Sequence, residues 1–117
     1  MKIKYLSFLA LFALFSCNDD DKEKTVEVYI SNGKLQCQDN AIPINITKSY
    51  LTNAGLDFLE QSCGIINAGY ATVCGGGTGQ IHIYSISKND INSATNIGFT
   101  EVSTLEDGYQ SMDCGSL

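Results

Sequence analysis

Two segments of the chain, 26–31 and 80–86, alternate apolar and polar residues with the two-residue period of a half-buried strand. Two further strands are predicted from their apolar content, at 56–63 through Phe58 and Leu59 and at 99–105 through Phe99, Val102 and Leu105. The strand at 80–86 is the clearest, because isoleucine, a β-branched residue, recurs along it. Residues 45–54 place apolar side chains on one helical face and predict a helix. A capping-box pattern, Ser87 with Asp90, predicts a second short helix that ends at Gly98.

A short motif occurs at the same joint in both halves of the chain. Residues 52–56 and 95–99 both have the form Thr-Asn-x-Gly-apolar, where a predicted helix turns into a predicted strand. Strand–helix–strand repeated twice predicts a single α+β domain of the ferredoxin-like βαββαβ type. Such a domain has a four-stranded antiparallel sheet in the order 4-1-3-2, and right-handed crossovers place both helices on one face of it.

The start of the chain has the three parts of a secretory signal peptide. Lys2 and Lys4 provide a charged start, an apolar run follows from Tyr5 to Phe15, and Ser16 is a small residue at the cleavage point. A helix of about 11 residues spans only about half of a ~30 Å hydrocarbon core, so a permanent membrane span is not predicted. We expect this segment to be removed on export.

The end of the segment resembles the lipobox of bacterial lipoproteins, through the residues Leu14-Phe15-Ser16-Cys17. The resemblance implies that Cys17 becomes the first residue of the mature protein and carries acyl chains, palmitate among them. The alternative is an ordinary secretory signal with an incidental thiol at Cys17. The cysteine count favours lipidation, because modifying one of the five cysteines leaves four, which pair as two disulfides in an oxidising compartment.

A polar and mostly acidic run extends from Asn18 to Lys24. It has no apolar surface to bury, so we expect an extended, solvated tether. An acidic run directly after the lipidated cysteine resembles the surface-export signal of Bacteroidota-type lipoproteins, which implies a lipid-anchored outer-membrane protein at the cell surface. The alternative is a simple spacer. The expected division is a signal peptide at 1–16, the lipidated cysteine and tether at 17–24, and one small domain at 25–117.

The net charge excludes one class of partner. It is −6 for the whole chain, and removal of residues 1–16 takes away two of the seven lysines and none of the thirteen acids, which leaves −8. A nucleic-acid partner is not predicted, because the chain has no basic stripe to neutralise phosphates. The mature chain also has no arginine, the residue that usually grips phosphate or carboxylate ligands with two hydrogen bonds.

The predicted topology constrains the pairing of the remaining cysteines. Cys37, Cys63 and Cys74 meet at one edge of the predicted sheet, and Cys114 reaches them if the tail folds back. The expected pairing is Cys63–Cys74, which would close the long loop, with Cys37–Cys114 fixing the tail. Cys37–Cys74 with Cys63–Cys114 is the competing pairing. Either pairing would supplement the modest core of a domain this small.

The sequence predicts no catalytic site, no cofactor and no metal site. The glycine cluster 75–79 lacks the Lys-Ser/Thr pair of a phosphate loop and precedes a strand, whereas phosphate sites need a helix N-terminus. No Cys-x-x-Cys pair supports a zinc or redox site, and cysteines held in disulfides supply no catalytic thiolate. An enzyme is therefore the least favoured class of function.

Two tyrosines and the only histidine are the candidate binding residues. If the apolar positions of the first strand face the helices, Tyr29 points to the open face of the sheet, where Tyr84 and His82 would join it. Exposed aromatic residues on that face would form a platform for an unknown protein or small molecule. The alternative is that all three are structural. The expected function is a non-enzymatic binding domain, and the competing class is an inhibitor or immunity-type lipoprotein that acts through the glycine-rich loop.

Overall fold

The structure is a computed structural model that describes residues 24–117. The predicted signal peptide, the lipidation site Cys17 and all of the acidic tether except Lys24 lie outside the described residues.

The described chain forms a small α+β domain with one antiparallel sheet. Its elements in chain order are β1 (Thr25–Ser31), α1 (Ile44–Asn53), β2 (Glu60–Ile66), β3 (Gln80–Ser87), α2 (Ile91–Asn96), β4 (Thr100–Glu101) and β5 (Tyr109–Met112). Three short 3₁₀ turns lie at Lys88–Asp90, Val102–Thr104 and Cys114–Ser116. The strands lie in the order β4-β1-β3-β2-β5, so β3 is the central strand.

The sheet has five strands and not the four that were predicted. The predicted order 4-1-3-2 is present, and β5 is added beside β2. β5 was not predicted from the sequence, because its four residues, Tyr-Gln-Ser-Met, contain no apolar–polar alternation of the kind that marks a strand. The predicted second strand was placed about four residues too early, and the fourth is shorter than predicted because a 3₁₀ turn follows Glu101.

Both helices pack on the same face of the sheet. Leu51 of α1 and Ala94 of α2 belong to one buried cluster with side chains of strands β1 and β3. The cluster consists of Val28, Leu51, Leu56, Tyr84, Ile86, Ala94 and Phe99. The ring of Tyr84 makes edge contacts with two other aromatic rings in or beside the cluster, those of Phe58 and Phe99, with centroids 5.2 and 5.9 Å away.

The repeated Thr-Asn-x-Gly-apolar motif forms the same helix end twice. After α1, the N–H of Leu56 donates to the carbonyl of Leu51 at 2.9 Å. After α2, the N–H of Phe99 donates to the carbonyl of Ala94 at 3.0 Å. The glycine of each motif has a positive φ, +77° at 55 and +110° at 98, which a residue without Cβ adopts most easily. Each motif is therefore a Schellman cap whose final apolar residue enters the core.

A tyrosine of β5 covers part of the other face of the sheet. The side chain of Tyr109 crosses Gly64 of β2, where a Cβ would lie only 2.6 Å from the tyrosine ring. Its hydroxyl reaches Glu27 of β1 at 3.4 Å. Tyr109 thus lies over the strands between β5 and β1, on the face that carries the buried residues Ile81 and Ile83. This second face is therefore not the bare surface that the sequence suggested.

Candidate functional site

The predicted platform of Tyr29, Tyr84 and His82 is not formed. Tyr84 is fully buried and His82 is 2% exposed, and both lie on the face that the helices cover. The register explains this, since Tyr84 pairs with the core residue Val28, whereas Tyr29 pairs with Ile83 on the opposite face. The prediction that these three side chains share an exposed surface is therefore wrong.

Tyr84 and His82 instead belong to a buried polar cluster under α1. The hydroxyl Oγ1 of Thr47 lies 2.8 Å from His82 Nδ1 and 2.8 Å from Tyr84 Oη. Both hydroxyls also lie 3.1 Å from the carbonyl oxygen of Ile44. Hydrogen bonds offset the cost of removing these groups from water, so the cluster fixes how α1 lies on β3.

Burial changes the proton affinity of both side chains in this cluster. The pKa of His82 lies below its ordinary value, because burial disfavours the charged ring. The pKa of Tyr84 is raised by burial, and the hydrogen bond with Thr47 opposes part of that rise. We therefore treat the imidazole as neutral and the phenol as protonated at neutral pH.

The disulfides correct the expected pairing. Cys37 is bonded to Cys74, and Cys63 is bonded to Cys114. This is the competing pairing, and Cys63–Cys74 with Cys37–Cys114 is wrong. Cys63 pairs with His82 in the sheet register and so lies on the helix-covered face. The loop that carries Cys74 bonds instead to the segment around Cys37, through the bridge between Leu35 and Gly77.

The first disulfide fastens two loops together, residues 34–38 and 67–79, which we call the clamped loops. Backbone hydrogen bonds join Gln36 to Gly75 and Gly76 at 2.9 and 2.8 Å. The amide Nε2 of Gln36 donates to the carbonyls of Ala71 and Gly77, and the hydroxyl of Thr78 donates to the carbonyl of Lys34 at 2.9 Å. The glycine-rich segment is therefore held in place along most of its length.

The clamped loops present apolar side chains to solvent. Val73 is 56% exposed and Tyr70 is 39% exposed. The ring of Tyr70 packs on Gly79, where a Cβ would lie 2.5 Å from the ring. A cleft of about 200 Å³ lies beside it, with Leu35, Ile66 and Tyr70 in its walls. Tyr70 and Val73 were not predicted from the sequence, although apolar residues within a polar, glycine-rich connection between two cysteines were a signal.

The described residues contain no group of three or more histidine, cysteine, aspartate or glutamate side chains placed to hold a metal ion. Over the same residues, no helix is both long and apolar enough to cross a membrane.

Comparison with known proteins assigns no family to the chain. No protein-family model matches it, and no curated protein and no solved structure is significantly similar to it.

Proposed function

We propose that the protein is an exported lipoprotein, anchored in the outer membrane through acylated Cys17, whose non-enzymatic domain binds a protein partner at the cell surface through the clamped loops. One observation carries the binding proposal. Tyr70 and Val73 are exposed on a loop that a disulfide and several hydrogen bonds already hold in one conformation.

A pre-ordered loop supports binding for an energetic reason. Fixing a mobile side chain at an interface costs about 0.5–1.5 kcal/mol, and ordering a flexible loop adds to that cost. The Cys37–Cys74 bond and the hydrogen bonds of Gln36 meet this cost during folding. Tyrosine is also among the side chains enriched at the centres of protein interfaces, where its ring is buried and its hydroxyl finds a partner.

A second candidate function is an inhibitor or immunity-type lipoprotein that protects the envelope from a toxin or protease. The same loops favour it, because a rigid exposed segment fastened by a disulfide can occupy the cleft of another protein without losing much conformational entropy. For the architecture, we propose a ferredoxin-like βαββαβ domain extended at the β2 edge by β5, on the basis of the strand order and the shared helix face.

The membrane anchor predicts a specific effect of Cys17→Ser. Without the cysteine no acyl chain can be attached, so the protein should accumulate either as an uncleaved precursor or as a released, soluble form. The wild-type protein should resist washing with high salt, because more than one acyl chain gives stable anchoring. Fractionation followed by immunoblotting measures both results. Undiminished mature Cys17→Ser protein in membranes would contradict the proposed anchor.

The clamped loops predict that Tyr70→Ser with Val73→Ser abolishes partner binding while the domain stays folded. The full-length protein is expressed in cells that are challenged with a panel of envelope toxins and secreted proteases, and surface cross-linking measures bound partner. The double variant should give at least tenfold less protection and at least tenfold less cross-linked partner than the wild type. Leu59→Ser is the matched control, since Leu59 is 68% exposed and lies outside the clamped loops. Equal loss in both variants would contradict the loop surface.

A further inference from the structure

A second cavity lies at the N-terminal end of α1, away from the clamped loops. Its volume is about 330 Å³. The loop that enters α1 forms one wall, the ring of His82 lies in another, and Cys114 and Leu117 of the tail complete it. This volume is at the small end of the range for ligand sites, about 300–1,000 Å³, so it suits a small molecule and not a peptide segment.

The helix end supplies unused hydrogen-bond donors. Pro43 is the N-cap residue of α1, and its side chain makes no capping hydrogen bond. Within residues 24–117, the backbone N–H groups of Ile44 and Asn45 donate to no acceptor. The first turn also contains no acidic residue. Because the N-terminus of a ten-residue helix carries a partial positive charge, these two N–H groups are suited to a carboxylate.

His82 supplies an acceptor at the same cavity. The ring is only 2% exposed, its Nδ1 lies 2.8 Å from Thr47 Oγ1, and its Nε2 has no hydrogen-bond partner within the described chain. The cluster of Thr47, Tyr84, His82 Nδ1 and the Ile44 carbonyl has four short contacts, and the two hydroxyls supply two protons. A proton on Nδ1 gives a third donor, so the cluster favours the Nδ1–H tautomer, which leaves a lone pair on Nε2.

Asp39 supplies a second acceptor at the cavity, and its negative charge is opposite in sign to the partial positive charge of the helix end. It lines the cavity, and its carboxylate makes no hydrogen bond or ion pair within the described residues. Ala41 and Ile42 provide apolar wall between these polar groups. The cavity therefore combines two donors for an anion, two acceptors for a cation, and an apolar surface.

We propose that this cavity binds a free α-amino acid. Its carboxylate accepts hydrogen bonds from the N–H groups of Ile44 and Asn45, its ammonium donates to Asp39 and His82 Nε2, and its side chain lies against Ala41 and Ile42. A simple amine would leave the helix end without a partner, and a simple carboxylate would give His82 Nε2 no donor and would lie near the carboxylate of Asp39. A zwitterion matches all of these groups, and a charge-assisted hydrogen bond is about twice as strong as a neutral one.

The test compares four probes on the full-length exported protein in detergent, by isothermal titration. L-leucine should bind saturably. Leucinamide, which lacks the carboxylate, and N-acetyl-leucine, which lacks the ammonium, should each bind at least tenfold more weakly. Because the chain has a single histidine, the ¹⁵N resonance of Nε2 is unambiguous, and it should shift on addition of leucine but not of N-acetyl-leucine. L-alanine is tested beside leucine as an amino acid with a smaller side chain.

Variants separate the two halves of the proposed site. Asp39→Asn should weaken leucine at least tenfold and leave the weak binding of N-acetyl-leucine unchanged, and Asp57→Asn, an exposed acid outside the cavity, should change neither. The Tyr70→Ser/Val73→Ser protein should bind leucine normally, since the cavity does not depend on the clamped loops. The proposal is overturned if neither leucine nor alanine binds, if a blocked analogue binds as tightly as leucine, or if Asp39→Asn has no effect.

Discussion

Replacing Cys63 and Cys114 together by alanine should lower the free energy of unfolding by about 4 kcal/mol, the chain-entropy value for a bond that joins residues 51 apart. The loss is large for a domain of this size, whose total stability is expected to be about 5–15 kcal/mol. Cys63 is 1% exposed in the middle of β2, and Cys114 lies two residues after the end of β5. Denaturant unfolding of the full-length exported protein measures the change.

Single substitutions test the pairing itself. Cys63→Ser should release one thiol at Cys114, and Cys37→Ser should release one thiol at Cys74. Peptide mapping after alkylation under non-reducing conditions identifies the free cysteine. A thiol at Cys74 in the Cys63→Ser protein would show that the pairing is the one first expected from sequence, and the predicted role of the Cys63–Cys114 bond would fail with it.

The disulfides show which features of cysteine pairing can be predicted from strand order alone. Cys37 and Cys74 lie in the loops that follow β1 and precede β3, so they meet at one end of the sheet, whereas Cys63 lies within β2. Topology does not say which face each side chain occupies, and the face decides the pairing. Cys63 lies on the face covered by helices, whereas the loop around Cys74 bonds to residues 34–36. The unpredicted strand β5, which pairs with β2, brings the tail to Cys63.

The predicted platform of Tyr29, Tyr84 and His82 was wrong for a related reason. Face assignment from sequence requires that only one side of a strand be apolar, as in β1. In β3, Ile81 and Ile83 are buried on one face, while His82, Tyr84 and Ile86 are buried on the other. A central strand buried on both sides has no polar alternation to set its register, so Tyr84 and His82 were placed on the wrong face. Helix ends were predicted better, because the Thr-Asn-x-Gly motif encodes its cap locally.

Thr47→Val should destabilise the domain by about 3 kcal/mol, although valine has nearly the shape of threonine. The hydroxyl is the only hydrogen-bond partner of His82 Nδ1 within the described chain and a close partner of Tyr84 Oη. A buried polar group that loses its partner costs about 1–3 kcal/mol, and here His82 Nδ1 loses its partner while Tyr84 Oη keeps only the Ile44 carbonyl at 3.1 Å. The methyl group would also lie about where an oxygen now makes contacts of 2.8 Å, which is closer than carbon allows.

Thr52→Val on the same helix is the matched control. Its hydroxyl contacts only the carbonyl of Ser49 at 3.3 Å, and its side chain is exposed, so the substitution carries the same change in helix propensity without breaking a buried cluster. We expect a change within about 0.5 kcal/mol for this control. Unfolding of both full-length variants in urea gives the comparison. If Thr47→Val is as stable as Thr52→Val, then the buried cluster does not fix α1 on the sheet, and the tautomer assigned to His82 loses its basis.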